Sequence, residues 1–144
     1  MKTRSRIATI AAASSAVMLI LAPQAQANWT SSISNAGAGF ESRRWTDSNW
    51  TQVQFTGCYN SDVTPIGDGV GVQVWQDLSF QPDDSYDNKI FTACYSGGNT
   101  SSGEWSEIPQ ESGQFYFQIT SVGGRTSYSS SVDVDKVYVD TAKP

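Results

Sequence analysis

The sequence predicts an all-β chain: a single-domain antiparallel β-sandwich, immunoglobulin-like or jelly-roll-like in architecture, with one disulfide. Three observations carry this expectation. Apolar and polar residues alternate with a period of two in one segment after another, and no useful length has helical periodicity. Clusters of Gly, Pro, Asn and Asp separate those segments. The chain holds two cysteines behind a leader-like N-terminus, a combination that favours a disulfide in an exported protein.

Residues 1–27 read as a secretory signal peptide. Lys2, Arg4 and Arg6 give a positive start, Ile7 to Leu21 is apolar, Pro23 breaks the run, and Ala25-Gln26-Ala27 supplies a small-x-small cleavage pattern. The apolar run, at about 15 residues, falls short of the roughly 20 that span a bilayer. No second such run follows, so the cleaved product is expected to be extracellular and free of the membrane. Residues 28–144 then form one domain, large enough for a core but with little surplus burial.

Strand candidates follow in order. Trp29 to Ser34 and Phe40 to Trp45 come first. Thr51, Val53 and Phe55 alternate with Gln52, Gln54 and Thr56. Val70, Val72 and Val74 alternate with Gly71, Gln73 and Trp75. Phe91, Ala93 and Tyr95 alternate with Thr92 and Cys94. Phe115, Phe117 and Ile119 alternate with Tyr116, Gln118 and Thr120. Val132 and Val134 open a last strand that Val137 and Val139 continue on the other parity, so a bulge is expected near Asp135-Lys136. Turns are expected at 61–65, 67–69, 81–84, 97–99 and 123–125, and loops over 104–111 and 126–131.

The two cysteines occupy matching frames, Phe55-Thr56-Gly57-Cys58-Tyr59 and Phe91-Thr92-Ala93-Cys94-Tyr95. The frames predict two strand ends pinned together through Cys58 and Cys94. By strict alternation each Cys lies on the face opposite its Phe, unless Gly57 or Ala93 marks a bulge. The order Cys58, Trp75, Cys94 matches an immunoglobulin domain. However, Thr92 stands where such domains keep a Tyr, and the cysteines are closer in sequence than theirs, so only the architecture is shared.

Composition excludes several chemistries. With no histidine, there is no Ser-His-Asp or Cys-His catalysis and no His-based zinc site. Gly67-Asp68-Gly69-Val70-Gly71 opens a strand after Pro65, so it reads as a turn and not a phosphate cradle. The net charge of −5 becomes −8 once the three basic residues of the leader are removed, which disfavours nucleic acid and anionic membranes.

Three residue sets remain as candidate sites. Glu104, Glu107 and Glu111, with Glu41, are the carboxylates from which a glycosidase pair would be drawn; the alternative is solvated loop charge. Asp83, Asp84, Asp87 and Asn88 form an acidic run with the hard oxygens calcium takes; the alternative is a turn capped by its own side chains. Trp75, Trp105 and Tyr116 break the apolar parity or sit near turns, and so are candidates for stacking on a ligand; the alternative is burial on strands covered on both faces.

The stretch Gly39-Phe40-Glu41-Ser42-Arg43-Arg44-Trp45, with the leader and the small size, resembles small secreted proteins of actinobacteria. That resemblance implies an export product without an assigned activity, and it carries no functional residues. The leading expectation is a non-catalytic extracellular module that binds glycan or protein through aromatics and loops. The alternatives are a secreted hydrolase inhibitor and a small carboxylate-based glycosidase.

Overall fold

A computed structural model describes residues 28–61 and 68–143; the expected leader and the turn expected around Pro65 lie outside the described residues. The strands are β1 (Trp29–Gly37), β2 (Trp45–Asp47), β3 (Thr51–Asn60), β4 (Val70–Asp77), β5 (Asp84–Phe91), β6 (Thr100–Trp105), β7 (Gly113–Val122) and β8 (Ser131–Asp140). They form two antiparallel sheets, β1-β8-β3-β6 and β2-β7-β4-β5.

This order settles the architecture as a jelly roll. β1 pairs with β8, β2 with β7, β3 with β6 and β4 with β5, as in one long hairpin, and alternate pairs fall in alternate sheets when that hairpin is rolled. The inner faces meet through Val53, Phe55, Val70, Val72, Val74, Phe115, Phe117, Ile119, Val132, Val134, Val137 and Val139, all buried. Burial of each such side chain contributes roughly 1.5–3 kcal/mol. Phe55 is the hub: its ring meets Phe91 at 5.2 Å and Phe117 at 5.5 Å, both edge to face.

The expected bulge in β8 is present, and β3 answers it. Across Asp135-Lys136 the buried positions of β8 change parity, and β3 changes parity opposite at Gly57, whose φ is +68°. Register is kept on both sides, Thr56 facing Lys136 and Cys58 facing Val134. The positive φ favours glycine at position 57, and a Cβ there would also displace the Asp135 side chain. Against β1, the same bulge appears as a register shift between Ser31 and Ile33. Because β3 turns over at Gly57, Cys58 is buried on the same side as Phe55.

The disulfide Cys58–Cys94 is formed, but it does not join two strands as expected. The strand anticipated over Phe91 to Tyr95 ends at Phe91, and Ala93–Tyr95 is a 3-10 turn. That turn carries the chain from β5 in the second sheet to β6 in the first. Cys94 N donates to Ser101 Oγ at 2.9 Å, tying the turn to β6 as the disulfide ties it to β3.

Other differences follow from edges. Phe40 to Trp45 is not a strand until Trp45, although the segment hydrogen-bonds along β7: Gly39 N to Ile119 O, Ile119 N to Phe40 O, and Ser42 N to Phe117 O. β6 was not expected, because its inward residues are Ser101, Gly103 and Trp105 and two of these carry no apolar signal. Gly103 has a packing reason: a Cβ there would come 2.9 Å from both Phe91 and Trp105 rings. The acidic run read as a turn or calcium loop is largely strand β5, the outer strand of the second sheet.

Candidate functional site

The outer face of the second sheet carries a polar and aromatic cluster in which Tyr116 is buried with the core and Trp75 packs against it. Strand alternation turns Gln73 and Trp75 of β4 outward beside Gln118 and Tyr116 of β7, their register partners. Asn88 of β5 lies opposite Gln73, and Thr120 Oγ1 donates to Asn88 Oδ1 at 2.6 Å across the face. The Trp75 and Tyr116 rings lie within 9° of parallel, with centroids 6.4 Å apart. Trp75 is half-buried and Tyr116 is buried.

Two connections build over this pair. The segment between β1 and β2 brings Arg44, whose guanidinium sits 4.0 Å above the Tyr116 ring. Arg44 Nε donates to Asp77 Oδ2 and Nη1 to Glu41 Oε2, each at 2.9 Å. These bonds hold the guanidinium charged, its acidity lowered first by the Asp77 contact. From the β4–β5 turn, Asp83 accepts the Leu78 N–H at 3.0 Å and the Tyr116 hydroxyl at 2.7 Å. Those donors hold the Asp83 carboxyl below the usual carboxylate range, the Leu78 N–H most of all. Burial first, then the Asp83 carboxylate, pushes the Tyr116 phenol well above its ordinary value, so it stays a neutral donor.

The same turn projects Phe80. Its side chain is fully exposed, and its φ of +64° is a conformation bulky residues rarely adopt. The Asp83 bonds to Leu78 and Tyr116 brace the turn beneath it.

The expected sites fare differently. Trp75 and Tyr116 come together as described, with Arg44 covering Tyr116, so Trp75 is the more exposed ring of the two. Trp105 is a correction: it is wholly buried, its Nε1 donates to Asp87 O at 2.7 Å, and Lys89 Nζ lies 5.2 Å from its ring centre. Trp29, Trp45 and Trp50 are buried as well.

The calcium set does not converge. Asp83 is engaged by Leu78 and Tyr116, Asp87 offers its carbonyl to Trp105, and Asn88 bonds Thr120 on the outer face. Among the described residues no three acidic or thiol side chains are grouped to hold a metal ion. A strand spreads consecutive side chains over opposite faces, where a calcium loop would wrap them around one point.

The carboxylates are divided as well. Glu41 sits over the second sheet with Arg44. Glu104 lies on the outer face of the first, accepting from Gln52 Nε2 at 2.9 Å and Trp50 Nε1 at 3.4 Å. Glu107 and Glu111 are exposed between β6 and β7. Sequence reasoning missed Arg44 and Phe80. The sign of the first was the adjacent pair Arg43-Arg44 before a Trp; an isolated Phe in a turn gave only a faint sign of the second.

No protein-family model matches the chain, and no curated protein matches it.

Proposed function

We propose that the protein is a secreted, non-catalytic binding module that takes a glycan on the outer face of its second sheet. The observation that carries this reading is the half-buried Trp75 ring, near-parallel to the covered Tyr116 ring on the outer sheet face and flanked by amides, hydroxyls and charged groups. A flat ring supplies the stacking surface for a sugar, and the neighbouring Gln73, Gln118, Asn88 and Arg44 supply hydrogen-bond partners for its hydroxyls. The bonds of Arg44 to Glu41 and Asp77 fix the guanidinium in advance, which lowers its ordering cost on binding. The separation of Glu104 from Glu41 argues against a two-carboxylate hydrolase built on them. Export is supported by the expected leader and by the disulfide.

One observation favours a second reading. Phe80 is a fully exposed aromatic on a braced turn at the end of the same face, the kind of anchor that enters a pocket on a protein partner. That reading includes inhibition of a hydrolase.

A glycan array run with and without calcium tests the proposal. Retention of a glycan class in both conditions is expected, and Trp75→Ala should weaken it about tenfold or more; because the ring also packs against the core, that variant melts lower and is assayed well below its own melting temperature. Absence of binding in both conditions would remove the glycan reading and leave Phe80 as the lead.

A further inference from the structure

We propose that a groove beside β1, separate from the glycan face, binds the C-terminal end of an extended peptide, with an apolar last side chain in the pocket and its carboxylate on Arg43. The pocket has a volume of about 130 Å³ and lies between β1 and residues 40–43. Trp29, Ile33, Phe117 and Val137 give it apolar walls, and Ser31, Ser32 and Ser42 are its polar lining. A cavity of about 150 Å³ holds a benzene ring, so this one has room for a single side chain and not for a long acyl tail.

Charge supplies the second half. Arg43 and Arg44 are adjacent but diverge: Arg44 is bonded to two carboxylates over Tyr116, while Arg43 lies 4.9 Å from the Trp29 ring centre at the pocket, with no ion pair among the described residues. An arginine fixed on an aromatic face and lacking a carboxylate complements a ligand carboxylate, which it can hold through two parallel bonds.

The third element is the strand itself. β1 is the outer strand of the first sheet, and Trp29–Gly37 contains neither charge nor proline. The other long outer strands carry charge, Asp84, Asp87 and Lys89 in β5 and Glu104 in β6. Charges on outer strands block pairing with a further strand; β1 lacks that guard where the pocket opens. An added peptide strand with a terminal carboxylate fits all three features.

The test is fluorescence polarisation with a labelled six-residue alanine–serine peptide ending in a free-carboxyl leucine. Saturable binding is expected, weakened about tenfold or more by C-terminal amidation, by Arg43→Gln, or by Ser32→Phe, which plugs the pocket from an exposed position. Each variant is checked for the parent melting temperature. No saturation up to about 1 mM, or equal affinity for the amidated peptide, would overturn the proposal. The Trp75→Ala variant should bind the peptide as the parent does, so this result is independent of the glycan reading.

Discussion

Asp47 shows how one residue imprints a pH dependence on the whole fold. Its side chain is 1 % exposed at the end of β2, and burial pushes its carboxyl up to about 6, against the opposing pull of the Ser48 N–H and the Thr51 and Trp45 side chains. The folded chain therefore holds this proton more tightly than the unfolded chain, where an Asp titrates near 3.9. Between about pH 4 and pH 6 the folded state binds more protons, so this group's contribution to stability falls as pH rises through that window and is flat above it. A rise from the ordinary Asp value to about 6 would bound the effect at about 3 kcal/mol, and solvent screening reduces it to about 1–2 kcal/mol. Asp83 and Asp133 act in the opposite sense: their carboxyls are held low, so their support is lost only as pH falls below the ordinary carboxylate range. Melting temperatures at pH 4.5 and pH 7.5 should show the parent more stable at the lower pH, and Asp47→Asn should lose most of that difference. An unchanged difference in the variant would assign the slope elsewhere.

At the scale of the element, legibility followed burial. β3, β4, β7 and β8 sit inside the sheets and bury one face against the core, so their alternation was plain in Val53 and Phe55, Val72 and Val74, Phe115 and Phe117, Val137 and Val139. Even the change of parity in β8 was readable, because valines stand on both sides of it. β5 and β6 are outer strands. Asp84, Ser85, Asp87 and Asn88 are exposed on β5, and β6 buries Ser101 and Gly103, so neither displays an apolar stripe. The cysteine frames misled for a related reason. The likeness of Phe55–Tyr59 to Phe91–Tyr95 concealed that one is strand and the other a strand end followed by a 3-10 turn. The disulfide therefore pins the β5–β6 crossover onto β3 and so couples the two sheets. Closing a loop of about 36 residues contributes roughly 3–4 kcal/mol in the chain-entropy model. Cys58→Ser should lower the melting temperature and leave binding at the outer face of the second sheet intact; an unchanged melting temperature would contradict that role.

At the scale of the molecule, the sequence carried the class but not the path. Antiparallel pairing, two layers and one bridge could be read from periodicity and cysteines. The pairings that make it a jelly roll join residues as distant as Trp29 and Val139, and nothing local encodes them. The same limit applied to the site. Trp75 and Tyr116 were legible as outward aromatics because each interrupts an apolar parity. Their pairing depends on β4 lying beside β7, and their cover depends on Arg44 arriving from the β1–β2 connection. The fold thus divides its surface into the face proposed to take a glycan, on the second sheet, and a polar face on the first, where Gln52, Gln54 and Glu104 bond one another. Amide chemical-shift mapping with a glycan retained on the array tests this division most directly. Shifts are expected to concentrate at Gln73, Trp75, Tyr116 and Gln118. Shifts concentrated at Gln52, Gln54 and Glu104 would contradict it.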